Sequence, residues 1–281
     1  MIVPIHVCLP CLKTLRLEFI KFEDDDSVKR LLSSSPVLED LSISVCFMQN
    51  IRSLKISHPS LKRMSIAFQR SPSSSDIVFD LPSLVYFKFE VNTAKIHIIV
   101  NMPSLVRADI NFAIGSFGGE INYQLDVLDE LFEGLVNVKS LRLEIVPELL
   151  PFLSHGRFVA FQNMLHLEVH NWMKKLDGFE FLEFSPNLQT FVMCTPPKQE
   201  SFPMEKVPSC VAYQLKEWKV LHFDDESSLF KMVTYILNNA TVHEKLTVCT
   251  YPVLKVETEF RITKQLLNLP RCSNKCRVVA F

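Results

Sequence analysis

The stretch SPVLEDLSI, residues 35–43, sets a proline ahead of three apolar residues, Leu38, Leu41 and Ile43, with mostly polar residues between them. Counted from Pro36, it reads P-x-L-x-x-L-x-I. The same frame recurs from Pro10 (Leu12, Leu15, Leu17), Pro59 (Leu61, Met64, Ile66), Pro82 (Leu84, Phe87, Phe89) and Pro103 (Leu105, Ala108, Ile110). Three further copies start at Val136 (Val138, Leu141, Leu143), Gln162 (Met164, Leu167, Val169) and Pro186 (Leu188, Phe191, Met193). The eight starts are separated by 26, 23, 23, 21, 33, 26 and 24 residues. Apolar residues two apart, as at Leu41 and Ile43, alternate with polar ones, which is the period of a half-buried strand. A proline ahead of them restricts the entering chain and supplies no N–H, so it suits a strand start.

One such unit cannot bury its apolar face alone, and stacked neighbours do so together. All steps but one fall in the period of leucine-rich repeats. The long step holds the glycine-bearing insertion GSFGGEINYQ. The predicted fold is α/β: a leucine-rich-repeat solenoid over 1–200, with a parallel sheet of about eight short strands and helices or loops on its convex side. DDDSVKRLLSSS (24–35) is predicted as a return helix, its early acids and later Lys29 and Arg30 complementing the helix dipole. LDVLDELFEGL (125–135) is predicted as a second, burying Leu128, Leu131, Phe132 and Leu135. Ten residues past each start, where Asn or Cys usually ties down a turn, only Cys46 and Asn92 fit, so the repeats are degenerate.

Composition narrows the function classes. A hydrophobic fraction of 48% allows a substantial core, and 30 basic against 31 acidic residues argue against a general nucleic-acid surface. No apolar run reaches the roughly 20 residues that span a bilayer, and MIVPIHVCLPC lacks a signal-peptide pattern. A cytoplasmic or nuclear location is the expectation, with the eight cysteines reduced. Six glycines, and neither GxGxxG nor GxxxxGK[ST], disfavour nucleotide chemistry.

After about residue 200 the frame is expected to stop, and SFPMEKVPSC (201–210) is read as a junction to a second, small α+β domain over 201–281. Its predicted order is strand (YQLKEWKVLHF), helix (226–240, with Leu229, Val233, Ile236 and Leu237 on one stripe), strand (EKLTVCT), helix (RITKQLLNLP), strand (CRVVAF). The phrases LPCLKTLRL and LLSSSPVLEDLSI, followed by LKEWKVLHF, VTYILNNA, KLTVCT and LLNLPRCSNKCRVVAF, resemble plant F-box/LRR/FBD proteins. The last 70 or so residues resemble the FBD domain through Trp218, Tyr235 to Ala240, and Leu269 to Cys272. The resemblance implies a part in choosing substrates for an SCF-type ubiquitin ligase. Members generally begin with an F-box that docks a Skp-type adaptor. Here the first repeat starts at residue 10, so no F-box and no direct Skp-type adaptor binding are expected.

Sites of chemistry are sparse. CLPC (8–11) and the Cys272/Cys276 pair have zinc or redox half-site spacing, but packed thiols fit better. HLEVH (166–170) lacks the H-E-x-x-H helical spacing of metalloproteases and reads as outward residues of the seventh strand. The expectation is a non-enzyme with no cofactor and no metal. Recognition is expected on the outward strand face, at Arg16, Glu18, Asp40, Arg63, Tyr86, Lys88, Glu90, Arg107, Asp109, Arg142, Glu144, His166, Glu168 and His170. Its mixed charges suit an unidentified protein target rather than a polyanion. Two alternatives stand beside this: a small-molecule (hormone-like) receptor with 111–124 as its lid, and a truncated, non-functional paralogue.

Overall fold

The structure, a computed structural model, describes residues 4, 6–22, 24–47, 53–70, 75–91, 96–112, 130–145, 160–170, 180–194, 206–224 and 227–281. It forms two compact units, the first of residues 1–138 with 151–159 and the second of 139–150 with 160–281.

In the first unit every predicted strand is present: β1 (Thr14–Glu18), β2 (Asp40–Phe47), β4 (Arg63–Arg70), β6 (Tyr86–Val91) and β8 (Arg107–Phe112). They pair in parallel, and the register places equivalent frame positions side by side. Leu15, Leu41, Met64, Phe87 and Ala108 form one row and Leu17, Ile43, Ile66, Phe89 and Ile110 the next. All but Leu15 are buried. The predicted return helix is α1 (Asp26–Ser33), burying Val28 and Leu32, and the Arg30 guanidinium donates to both carboxylate oxygens of Asp24 at 2.9 Å.

The convex side differs from the expectation of helices or loops. The segments returning from β2, β4 and β6 form a second parallel sheet of β3 (Ser53–Ser57), β5 (Ser75–Asp80) and β7 (Ile96–Asn101). These repeats are the short ones, of 23, 23 and 21 residues. An extended residue covers about 3.3 Å and a helical one 1.5 Å, so a short return spans the same length only as a strand. SLKIS and SDIVFD alternate apolar and polar residues accordingly, burying Leu54, Ile56, Ile77 and Phe79. Phe79 of the small sheet meets Phe87 and Phe89 of the large one edge-on, with ring centroids 5.1 and 6.0 Å apart.

Residues 130–134 are helical and bury Leu131, Phe132 and, just beyond, Leu135; Leu128 lies outside the described residues. This turn covers the free edge of β7. Glu130 Oε2 accepts the Ile98 N–H at 2.9 Å, and Gly134 packs directly on Val100.

The prolines sit in a different place from the one expected. Pro36 is four residues ahead of β2, in a turn closed by the Leu38 N–H donating to the Ser35 carbonyl (3.1 Å). The same bond recurs as Leu84 to Leu81, Leu105 to Met102 and Leu188 to Ser185. Proline thus occupies the second turn position, where its fixed φ is favourable and no N–H is required.

The second unit contains β9 (Ser140–Ile145), β10 (His166–His170), α2 (Glu180–Glu183), β11 (Thr190–Cys194), α3 (Ser209–Tyr213), β12 (Glu217–Phe223), α4 (Ser227–Asn239), β13 (Lys245–Thr250), α5 (Val256–Leu267) and β14 (Arg277–Ala280). The strand–helix order predicted after residue 200 is present. The frame, however, does not stop there. β12 pairs in parallel with β11, and Leu141, Leu167, Phe191, Trp218, Leu246 and Val278 form one continuous row. Position 200 therefore falls inside a unit whose parallel ladder runs across it. The hidden repeats start at Tyr213 (Leu215, Trp218, Val220) and Thr241 (His243, Leu246, Val248). Neither start is a proline, and His243 stands where the frame expects leucine. α4 covers the row as predicted, with Leu229, Val233, Ile236 and Leu237 buried and Met232 among them.

His243 is 1% exposed. Its Nδ1 lies 3.0 Å from the Leu215 carbonyl, which assigns the Nδ1–H tautomer, and Nε2 is buried without a partner among the described residues. Burial holds the imidazole below the ordinary value of 6.5, while the Leu215 carbonyl, Glu217 and Glu244 pull upward without reversing this.

Two outcomes follow. Below about pH 6.5 the unfolded chain takes up a proton that folded His243 refuses, so this stability is full above 6.5 and lost as pH falls through the depressed folded value. His243→Leu should flatten that acid limb in urea midpoints measured from pH 7.5 to 5; an unchanged slope would contradict the assignment. A Cβ at Gly134 would lie 2.8 Å from Val100 Cβ. Gly134→Ala should cost about 1–3 kcal/mol as overpacking, and adding Val100→Ala should recover part of it in the same denaturation assay.

Candidate functional site

Side chains at the polar positions of each rung emerge on the face of the sheet opposite its buried rows. In the first unit the register aligns Thr14, Asp40, Arg63, Tyr86 and Arg107 in one row, Arg16, Ser42, Ser65, Lys88 and Asp109 in the second, and Glu18, Ser44, Ala67 and Glu90 with Asn111 in the third. The nine expected recognition residues of this unit, from Arg16 to Asp109, therefore share one face.

They divide into two groups. Arg63 grips Asp40 directly across the strands through Nε to Oδ1 and Nη2 to Oδ2, the latter at 2.6 Å. The Tyr86 hydroxyl donates to Asp109 Oδ2 (2.6 Å), and the Arg107 guanidinium stands 5.8 Å from the Tyr86 ring centroid. By contrast, the side chains of Arg16, Glu18, Lys88 and Glu90 make no ion pair or hydrogen bond among the described residues. A shallow groove of about 450 Å³ runs among Arg16, Asp40, Arg63 and Tyr86. The proposed lid, 111–124, lies outside the described residues from 113 onward.

In the second unit the expected residues gather on Glu168. It lies opposite Arg142 in register, and Arg142 Nε donates to its Oε1 at 3.3 Å. His170 Nε2 contacts the same oxygen, and His166 Nε2 is 3.9 Å from Oε2. Glu144 lies 3.9 Å from Arg142 Nη2. Partial burial alone would raise the Glu168 pKa. The His170 hydrogen bond and the nearby charges of His170, Arg142 and His166 outweigh it and hold the carboxyl below its ordinary range. HLEVH thus has its outward placement on β10, with Leu167 and Val169 buried between. Among the described residues no group of three His, Cys, Asp or Glu could hold a metal ion. Cys8, Cys11 and Cys272 are exposed free thiols, and Cys276 is buried.

Three features escaped the sequence reading. Phe19 follows β1 with φ of 54° and is 74% exposed, an uncovered aromatic in a backbone region that bulky residues avoid. His222, with φ of 56°, sits at the β12 bulge, where its Nδ1 is 3.2 Å from Cys194 Sγ and its ring is 4.8 Å from that of Tyr251. The outward positions of β12–β14, among them Lys219, Lys245 and Arg277, lie past residue 200, where no proline marks the start of the frame. Only the frame itself, extended past residue 200, would have found them; no local sequence signal marks the two positive φ angles.

Such a face, laid out in rungs about 4.8 Å apart, can meet an extended segment or a convex protein surface with several groups at once. Residues 4–277 match a protein family described as the At1g61320/AtMIF1 LRR domain. The chain belongs to this leucine-rich-repeat family. Its relatives in Arabidopsis thaliana include the F-box protein At3g62430, 30% identical over 99% of this chain and 66% of its own length. F-box/LRR-repeat protein 13 is 29% identical over 99% and 64%, and the FBD-associated F-box protein At5g22730 is 28% identical over 97% and 63%. This is the plant F-box/LRR type. The chain spans somewhat under two thirds of the length of these relatives. No solved structure matches it.

Glu168 supplies a pH test of the cluster. Its lowered folded pKa means that its stabilising contribution is full above about pH 4.5 and is lost as pH falls through the folded value. Glu168→Gln should lower stability at neutral pH and make the decline below pH 4.5 shallower, read from urea midpoints. An equal loss at every pH would show that the cluster contributes no charge linkage.

Proposed function

We propose that the chain is a non-catalytic protein-interaction module whose outward sheet face selects a protein target, as the substrate-recognition part of an SCF-type ubiquitin ligase would. The observation that carries this is the face of the first unit. Among the described residues Arg16, Glu18, Lys88 and Glu90 stand without partners beside the pre-formed Asp40–Arg63 and Tyr86–Asp109 contacts. Free charges of both signs offer specific pairing to a protein surface, and the paired ones hold the frame in place. The relatives' names, F-box and FBD-associated F-box proteins, support the ligase context. Among the described residues no helix is long and apolar enough to cross a membrane. The exposed free thiols accord with action in the cytoplasm or nucleus.

Affinity capture from plant extract with the wild-type chain, an Arg16→Glu/Lys88→Glu variant and a Lys255→Glu control tests the assignment. Both variants should melt like wild type, and at least one captured protein should be lost with the double variant alone. Capture profiles identical for all three would refute a recognition role for this face.

A further inference from the structure

The outward face of β11–β14 has a charge character unlike that of the first unit. Lys219 and Lys245 project from it, with Arg277 and Lys275 beside them, against Glu217 and Glu244 among the described residues. None of these six forms an ion pair among the described residues. The carboxylate nearest along the sheet, Glu168, is already engaged by Arg142 and His170. Apolar side chains stand on either side of the lysines: half-buried Val192 beside Lys219 on β11, and Val279 on β14 with Phe281 just past it, 37% and 62% exposed. They line a groove of about 440 Å³, which shares Glu217, Lys245 and Val279 with a second depression reaching Lys275 and Arg277.

We infer that this face is a docking site for an extended acidic segment of a partner protein, with carboxylates at i and i+2 on the side it turns toward the lysines. Resting on the protein-binding role above, this names the chemistry of one partner. Register fixes the geometry. Lys245 lies opposite Glu217 and Lys219 opposite Thr247, so the lysines are diagonal neighbours, one strand across and two residues along. That diagonal is roughly 8 Å. Carboxylates at i and i+2 of an extended peptide are about 6.6–6.8 Å apart on one face, a gap that flexible lysine stems absorb. Val192 and Val279, which line the groove beside the lysines, keep water from part of their surroundings and strengthen their pairing with the carboxylates.

Arrayed octapeptides test this with the full chain. Apolar positions are held constant, and two charged positions spaced i and i+2 are filled with Glu, Lys or Ser. The Glu class should bind at least about tenfold better than the other two, with the preference fading as salt rises. Lys219→Glu/Lys245→Glu, with an unchanged circular dichroism spectrum, should turn the preference toward Lys peptides, and Arg16→Glu should leave it intact. Equal binding of the three classes, or a preference that survives the double reversal, overturns the inference. So does single-stranded DNA competing through the same lysines, which would make the partner a nucleic acid. A concentration-dependent dimer lost in the double variant overturns it as well, by giving the face to a second copy. If the array is silent while Arg16→Glu/Lys88→Glu still loses captured partners, only the acidic-segment inference falls and the interaction role stands.

Discussion

One backbone carbonyl per rung holds these units together. The Lys13 carbonyl accepts the N–H groups of both Glu39 and Asp40, at 2.9 and 3.0 Å; the Glu39 carbonyl accepts those of Lys62 and Arg63, and the series continues through Lys62 and Val85. In the second unit the same pair of hydrogen bonds is accepted by the carbonyls of Lys139, Leu165, Gln189 and Lys216, and the Glu244 carbonyl accepts the Arg277 N–H at 2.9 Å. Each lies where the chain enters its strand, so the backbone itself fixes the register of the apolar rows. A parallel pair offers no hairpin to fix its alignment. This shared acceptor takes over that role, and every row of the core and every row of the outward face inherits its alignment.

Because the seam uses only backbone, side chains next to it are free to vary. Position four of the frame is Lys13, Glu39, Lys62, Val85 and Val106 in successive repeats. Glu39 there is flanked by Lys13 and Lys62, at 3.9 and 3.0 Å, an exposed ladder of alternating charge laid over the backbone one. Exposed pairs of this sort contribute little. Stability rests on the rows behind them, and the outward face carries none of that core.

Most of this was legible in the sequence, for a physical reason. A strand with one buried face must alternate, and Leu41 with Ile43 or Leu167 with Val169 state that period plainly. The second sheet was harder to see. SLKIS alternates too, yet five residues between two stronger repeats read as a loop until the shortness of the return is weighed against the rise of an extended chain. The repeats after residue 200 were hidden by a different substitution. A histidine satisfies a leucine's position at His243 only because a carbonyl waits within 3.0 Å, and that carbonyl belongs to Leu215, 28 residues earlier. Period two places these polar residues together on the outward face. Which of them neutralise one another, such as Asp40 with Arg63, depends on register between repeats. The left-handed backbone at Phe19 and His222 leaves no trace in composition at all.

The Glu130 carboxylate on the Ile98 N–H bears on how the chain behaves in a crowded solution. An open strand edge is a template on which another chain can build, and β7, with IHIIVN, has the apolar, branched composition that fibrils favour. With its central N–H already taken and Gly134 seated against Val100, that edge offers a newcomer an incomplete set of donors. A single helical turn thereby acts as a solubility device, protecting a stretch of sequence that would be hazardous if left bare.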